Sequence, residues 1–358
     1  MINNTSIKQF EISLGTNPAV YFPGQAVNGK VILDLERQIN IASIQVQCLG
    51  FSSWNVHRRT SARHHHCDIN SRKETFIDDS ETLWENVEGN LQEMPVGQYE
   101  FNFNFPLPID KKLPSSAELM WYDSRIRYCI IATLNDKKKK LYRTVKVFTF
   151  LEIIDVNRPQ FKAPPPLIEV ENTSCCLCYQ SLPTLLTIST DRSAYCPGES
   201  IKFEVVCDNM TSSRIKYIAA KLARTTDLHV GERTFLHVRH YYSEVRSTEE
   251  ITGGQSFTWH EASMKIPSLP PSIKSNFITV SYELLIIAKF VHSPNQLASA
   301  PITIGSIPLN LQPDPSPPAS DVNRLQSANV VFEGCVDDCE RNINSKNKFK
   351  PFYPVARI

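Results

Sequence analysis

Apolar and polar residues alternate with a period of two through most of this chain. The stretch 98–105 is the cleanest case, with Tyr99, Phe101, Phe103 and Phe105 on one face and Gln98, Glu100, Asn102 and Asn104 on the other. Such alternation predicts a half-buried strand. Each ring placed in a core contributes about 1.5 to 3 kcal/mol, so this strand is expected to anchor one. The same period runs through Ile44, Val46 and Cys48, through Ile126, Tyr128 and Ile130, and through Ile278, Val280, Tyr282 and Leu284. One face buried and one solvated is the signature of antiparallel sheets packed as a sandwich. Helical periodicity is nearly absent, and its best stretch, 83–87, is too short to stand without tertiary support. The pattern predicts an all-β protein.

Two segments repeat each other. Tyr21-x-Pro23-Gly24 is followed by alternating apolar residues at Val27, Val31, Leu33 and Leu35, and Tyr195-x-Pro197-Gly198 is followed by Ile201, Phe203 and Val205. Proline presets position i+1 of a turn and glycine accepts the positive φ that a type II turn needs at i+2. Pro23, Gly24, Pro197 and Gly198 are therefore read as structural turns. A second echo pairs Leu113-Pro114-Ser115-Ser116 and Tyr128 with Leu269-Pro270-Pro271-Ser272 and Tyr282. Only two copies occur, which predicts a tandem pair of β-domains rather than a propeller or solenoid. Residues 1–156 form the first domain, 157–174 a Pro-rich hinge or connector containing Ala-Pro-Pro-Pro, 175–312 the second domain, and 313–358 a flexible tail without core alternation.

Composition narrows the function. Lys and Arg total 38 against 37 for Asp and Glu, so no global field draws the chain to nucleic acid. The N-terminus has no apolar leader and no apolar run approaches the ~20 residues of a membrane span. A soluble, cytoplasmic protein is expected. Its ten cysteines are then expected to remain thiols, and the sequons at Asn3, Asn4, Asn172 and Asn209 to be silent.

Candidate chemistry is sparse. Lys137, Lys138, Lys139, Lys140 and Arg143 form a basic cluster, with Asn135-Asp136 as the expected turn of a hairpin. Neighbouring ammonium groups repel, and anionic cargo or lipid headgroups would relieve that repulsion, whereas a solvated hairpin tip is the plain alternative. His57, His64, His65, His66 and Cys67 mix soft ligands, but three adjacent histidines do not converge on one tetrahedral centre and Arg58, Arg59 and Arg63 add positive charge, so no metal is assigned. Cys175, Cys176 and Cys178 lack a second pair at zinc-finger spacing and are read as strand thiols. Cys335 and Cys339, in the expected tail, are candidates for reversible oxidation. No nucleophile elbow, zincin motif or phosphate loop is present, so no catalytic residue and no cofactor is assigned.

In this order the residues resemble the alpha-arrestins, the arrestin domain-containing proteins. The resemblance rests on Tyr21-x-Pro23-Gly24 with Gly29, Leu49-Gly50 leading to Trp54, and Phe105-Pro106-Leu107-Pro108. It continues through Leu113-Pro114-Ser115-Ser116, Arg127-Tyr128, Cys175-Cys176-x-Cys178, Tyr195-x-Pro197-Gly198-Glu199 and Pro301-Ile302-x-Ile304-Gly305. It covers about residues 7–310. It implies two immunoglobulin-like β-sandwich domains joined by a short hinge, with concave inner faces. It also implies a non-enzymatic adaptor that binds cytosolic regions of transmembrane receptors or transporters, associates peripherally with plasma membrane or endosomes, and couples its cargo to ubiquitin ligases or clathrin machinery. Leu167, Ile168, Val170 and Glu171 match the pattern that clathrin terminal domains accept. The Pro-Pro-x-Tyr motif by which family members recruit ligases through WW domains is absent from the sequence: its Pro-Pro pairs continue as Pro-Leu, Ser-Ile and Ala-Ser. Two alternative functions remain: a redox-linked regulatory binding protein, as thioredoxin-interacting proteins within that family are, and a sorting-coat subunit resembling the arrestin-like retromer component.

Overall fold

A computed structural model describes residues 6–59, 67–86, 92–119, 123–136, 139–172, 175–176, 179–180, 182–309, 330–334 and 349–357. They divide into two compact units, Met1–Glu152 with Asp337–Phe352 and Ile153–Val336 with Tyr353–Ile358. Each is a β-sandwich.

The first unit contains β1 (Ile7–Leu14), β2 (Val20–Tyr21), β3 (Ala26–Leu35), β4 (Ile39–Ile41), β5 (Ser43–Arg59), β6 (Cys67–Glu85), β7 (Gln92–Met94), β8 (Gly97–Pro106), β9 (Ala117–Glu118), β10 (Arg125–Asp136) and β11 (Lys139–Phe150). One sheet is ordered β1-β3-β8 and the other β2-β11-β10-β5-β6, with β9 added to β10 and β4 paired to β7. The alternation of 98–105 sets the first of these. Phe101 lies opposite Val31 and Phe105 opposite Val27, so aromatic rings of β8 share a face with the fully buried valines of β3. From the other sheet, Ile44, Val46 and Cys48 of β5 and Ile126, Tyr128, Ile130 and Leu134 of β10 fill the same core.

The second unit begins with α1 (Pro159–Lys162) and β12 (Ile168–Asn172), then β13 (Cys175–Cys176), β14 (Tyr179–Gln180), β15 (Thr184–Thr190), β16 (Ala194–Tyr195), β17 (Ser200–Asn209), β18 (Ile215–Val230), β19 (Arg233–Arg246), β20 (Gln255–Lys265), β21 (Ile273–Lys274), β22 (Ile278–Phe290) and β23 (Gln296–Ile304). Its sheets run β12-β15-β17-β20 and β16-β23-β22-β18-β19, with β21 on β22. A final ribbon pairs β24 (Val330–Gly334) with β25 (Phe352–Ala356).

The sequence repeat is a repeat of hydrogen bonds. In the first copy Gln25 N donates to Phe22 O at 3.2 Å, and in the second Glu199 N donates to Cys196 O at 3.1 Å, each closing a turn whose glycine has φ of 80° at Gly24 and 87° at Gly198. Tyr128 Oη donates to Pro114 O and Tyr282 Oη to Pro270 O, both at 2.7 Å. Ser116 Oγ accepts from Phe150 N at 2.9 Å, and Ser272 Oγ from Ile304 N at 3.0 Å. Each copy also closes with a short parallel pairing, Val20 and Tyr21 against Thr149 and Phe150, and Ala194 and Tyr195 against Thr303 and Ile304.

Residues 83–85 end β6, in keeping with the all-β reading. Three expectations are corrected by the geometry. The β10–β11 hairpin does not turn at Asn135-Asp136: these residues stay in the ladder opposite Lys140 and Lys139, held partly by Asn135 Nδ2, which donates to Ser43 Oγ and Gln45 Oε1. The connector 157–174 is not free chain throughout, because β12 joins the second unit's sheet as a strand antiparallel to β15. The tail 313–358 is not wholly loose either: β24 and β25 pair, and Tyr353 is 1% exposed. Burying a tyrosine ring is sufficient reason for a short strand to stay in place.

Candidate interaction surface

Residues opposite each other in an antiparallel ladder share a face. Tyr128, Ile130 and Ala132 of β10 point into the first unit's core, so Arg127, Cys129, Ile131 and Thr133 lie on the sheet's opposite face, where Cys129, Ile131 and Thr133 are nonetheless buried. Register then assembles their neighbours. Val147 and Leu49 flank Cys129, Val145 and Gln47 flank Ile131, Arg143 and Gln45 flank Thr133, and Phe51 lies opposite Arg127. The result is an apolar strip in which Val145 is 40% exposed, Leu49 and Val147 are half-buried and Cys129 and Ile131 are buried beneath them, with cations along it.

Three cations matter. Lys73 on β6 sits with Nζ 4.9 Å from the centroid of the Phe51 ring, a cation–π contact that also shields the ring. Arg127 binds Glu118 through both forks, Nη2 to Oε2 at 2.9 Å and Nε to Oε1. Burial opposes the charge on Arg127 and the Glu118 carboxylate more than restores it, so its pKa is raised. Arg143 is exposed, and among the described residues neither it nor Lys73 forms an ion pair. Asp78, opposite Leu49, is held by the Gln47 amide. The corresponding face of the second unit differs in carrying ion pairs: Lys221 to Glu244 at 2.8 Å, Arg246 to Glu244, and Arg239 to Glu283 at 2.6 Å.

Of the basic cluster read from sequence, only the Arg143 side chain is placed. Lys139 and Lys140 are described as backbone of β11, and Lys137 and Lys138 lie outside the described residues. Lys73 and Arg127 escaped sequence reading because their grouping with Arg143 depends on the pairing of β5, β6, β10 and β11. The clathrin-type residues Ile168, Val170 and Glu171 lie in β12, with Ile168 opposite Ile188 and Val170 opposite Leu186, while Leu167 is exposed just before it. They are held in a sheet rather than presented as loose chain. Cys178, Cys335 and Cys339 lie outside the described residues, as do His64, His65 and His66. Cys175 and Cys176 are described as backbone of β13 and His57 as backbone of β5. Among the described residues no group of three or more His, Cys, Asp or Glu is placed to hold a metal ion, and no helix is long and apolar enough to cross a membrane.

Four thiols are placed, Cys48, Cys129, Cys196 and Cys207, and all are free and buried. Burial pushes Cys48 and Cys207 up to about 12. It also pushes Cys129 up to about 11 against the pull of Arg143, Arg127 and Lys73, and Cys196 well above its ordinary value. These are packing groups, not nucleophiles. Unfolded cysteine titrates near ~8.5. The folded chain therefore retains protons that the unfolded chain releases above that pH, and stability is full below about pH 8.5 and declines as pH rises toward the folded values. Urea midpoints at successive pH values should show this alkaline loss, and Cys48→Ala with Cys207→Ala should flatten it. A midpoint constant up to about pH 10.5 would contradict the burial of these thiols.

Comparison with known proteins follows the same division. The model of the arrestin (or S-antigen) N-terminal domain matches residues 10–157, and that of the arrestin C-terminal domain matches residues 180–309. Arrestin domain-containing protein 4 of Homo sapiens is 27% identical over 81% of this chain and 69% of its own length. Arrestin domain-containing protein 17 of Caenorhabditis elegans is 28% identical over 84% and 71%. Thioredoxin-interacting protein of Homo sapiens is 24% identical over 86% and 76%. With both domain models matched in tandem, each over one copy of the duplicated turn and buried tyrosine, the chain belongs to the arrestin family, among the arrestin domain-containing proteins or alpha-arrestins.

Proposed function

We propose that this protein is an adaptor whose first unit docks an acidic or phosphorylated cytosolic segment of a membrane protein on the outward face of β5, β6, β10 and β11. The observation that carries the reading is the joining of an apolar strip, Leu49, Val145 and Val147, to Lys73 and Arg143, which form no ion pair among the described residues, with Lys137, Lys138, Lys139 and Lys140 close by in the sequence. An apolar floor holds a peptide non-specifically, and flanking cations select for negative charge. Recruitment to plasma membrane or endosomes then follows from the cargo, and clathrin or ubiquitin-ligase machinery would be brought by other parts of the chain. The family's adaptor role supports this over an enzyme. A redox-linked role, suggested by the name of the thioredoxin-interacting relatives, gains nothing from the four placed thiols, which are buried.

The test is a pulldown with phosphorylated and unphosphorylated cytosolic tails, alongside flotation with acidic liposomes lacking cargo. Lys73→Gln with Arg143→Gln is expected to weaken phosphorylated-tail binding about tenfold or more, since each charge near an anionic partner contributes about 1 kcal/mol. Binding should also fall with salt. The pair lies on the surface, so thermal stability should match the parent. Unchanged tail binding overturns the reading, and a loss confined to the liposome arm would make the face a lipid contact instead.

A further inference from the structure

We infer that the Pro197–Gly198 turn of the second unit is a docking socket for an extended aromatic-Pro peptide, and that the chain's own C-terminal strand occupies it as a displaceable strap. The contact is built from backbone. Ala356 N donates to Pro197 O at 2.8 Å. A Cβ on Gly198 would meet Ala356 N at 2.9 Å and Val355 Cγ1 at 2.8 Å, so the strand runs over the bare face of the glycine at a separation no side chain permits. Tyr353 and Pro354 are buried beside it, and β24 supports the ribbon from the other side, where Ser268 Oγ donates to Glu333 O at 3.2 Å.

The first copy shows that this is a special property of the second. Gly24 has the same φ and the same place in the repeat. Its open face, however, meets only the side chain of Ile109 at 2.7 Å, an isoleucine that is 79% exposed. One turn is covered by a loop side chain and the other by a peptide segment entering from more than 150 residues away in the sequence. Backbone hydrogen bonds from Phe352 N and Ala356 N, the buried Tyr353 and Pro354 and a two-stranded ribbon are among the contacts that hold that segment, and a two-stranded ribbon is marginal alone in water. The strap is therefore open to exchange for a competing strand of the same kind, a Tyr-Pro-Val-Ala-like sequence that supplies an N–H to Pro197 O. Its release would free the chain beyond residue 309 from its second anchor.

The experiment uses the full-length chain and a fluorescent peptide of residues 350–358 as the probe. Ala356→Pro removes the donor N–H, and Tyr353→Ser removes the buried ring; both lie in the strap, outside the two sheets of the sandwich. In hydrogen exchange the parent should protect 330–334 and 353–356, and each variant should lose that protection while β17 and β22 keep theirs. The peptide should bind the variants, and bind the parent about tenfold or more weaker, because the tethered strand competes at high effective concentration. A sequence-scrambled peptide should bind neither. Equal binding to parent and variants would show that the strap does not occupy the socket. Binding to neither, or an unprotected strap in the parent, would overturn the site itself.

Discussion

Glu199→Ala is expected to destabilise the second unit by about 3 kcal/mol, because it takes from a buried guanidinium its close carboxylate and leaves it Asp191 at 3.7 Å and the Ala194 carbonyl. Arg192 and Glu199 are nearly inaccessible, with side chains 9% and 2% exposed, and pair at 3.2 Å. The carboxylate does more than neutralise: Oε2 accepts from Cys196 N at 2.7 Å and Oε1 from Leu309 N at 2.8 Å. Alanine thus weakens the pairing of one buried charge and orphans two backbone donors. The first copy supplies the control. Gln25 stands at the matching position and its Oε1 accepts from Phe22 N at 2.9 Å, so the turn works with a neutral amide where no arginine lies beneath it. Glu199→Gln should therefore cost distinctly less than Glu199→Ala, and Gln25→Ala about 1 to 2 kcal/mol. Urea unfolding followed by circular dichroism, with hydrogen exchange to assign the unit, measures all three. Equal losses for Glu199→Ala and Glu199→Gln would mean that the Arg192 charge is satisfied elsewhere.

Gly198→Val is the second large effect, expected at about 2 to 4 kcal/mol, with Gly24→Val at about 1 to 2. Both glycines hold a φ that a branched side chain resists. They differ in what a new side chain meets. At Gly24 it is the exposed end of Ile109, which can rotate away, and at Gly198 it is the backbone of residue 356. Alanine should be milder than valine at both. Two valine variants that unfold like the parent would refute the turn geometry, and equal losses at the two positions would refute the backbone contact at Gly198.

Much of the sandwich was legible because its signals are local. The rings of 98–105 alternate because a strand does, and the echo of Pro114 with Tyr128 in Pro270 with Tyr282 turned out to be one hydrogen bond made twice. What sequence could not show depends on pairing over long separations. Arg143 is visible as part of a basic run, but nothing local places Lys73 and Arg127 on its face, since that follows from the register of four strands. Similarly, Ile168 and Val170 carry the letters of a loose motif and of an edge strand alike, and only the partner β15 decides between them. The tail misled for a related reason. Five residues of β25 are too few to display a period, and what holds them is a glycine in a different part of the chain.

The two short parallel pairings have a consequence for biosynthesis. Val20 finds its partner only at Thr149, and Ala194 only at Thr303, so in each copy an early strand must wait for nearly the whole domain to be translated before its ladder can close. Contacts of such high sequence separation are slow to form and expose unpaired strand edges meanwhile. The first sandwich can close its ladder while the second is still on the ribosome. The second, whose last strand over Gly198 arrives only at residues 353–356, finishes later. A nascent chain stalled soon after residue 304 should therefore hold a closed first copy and an unfinished second, which makes the second the natural point of surveillance by chaperones.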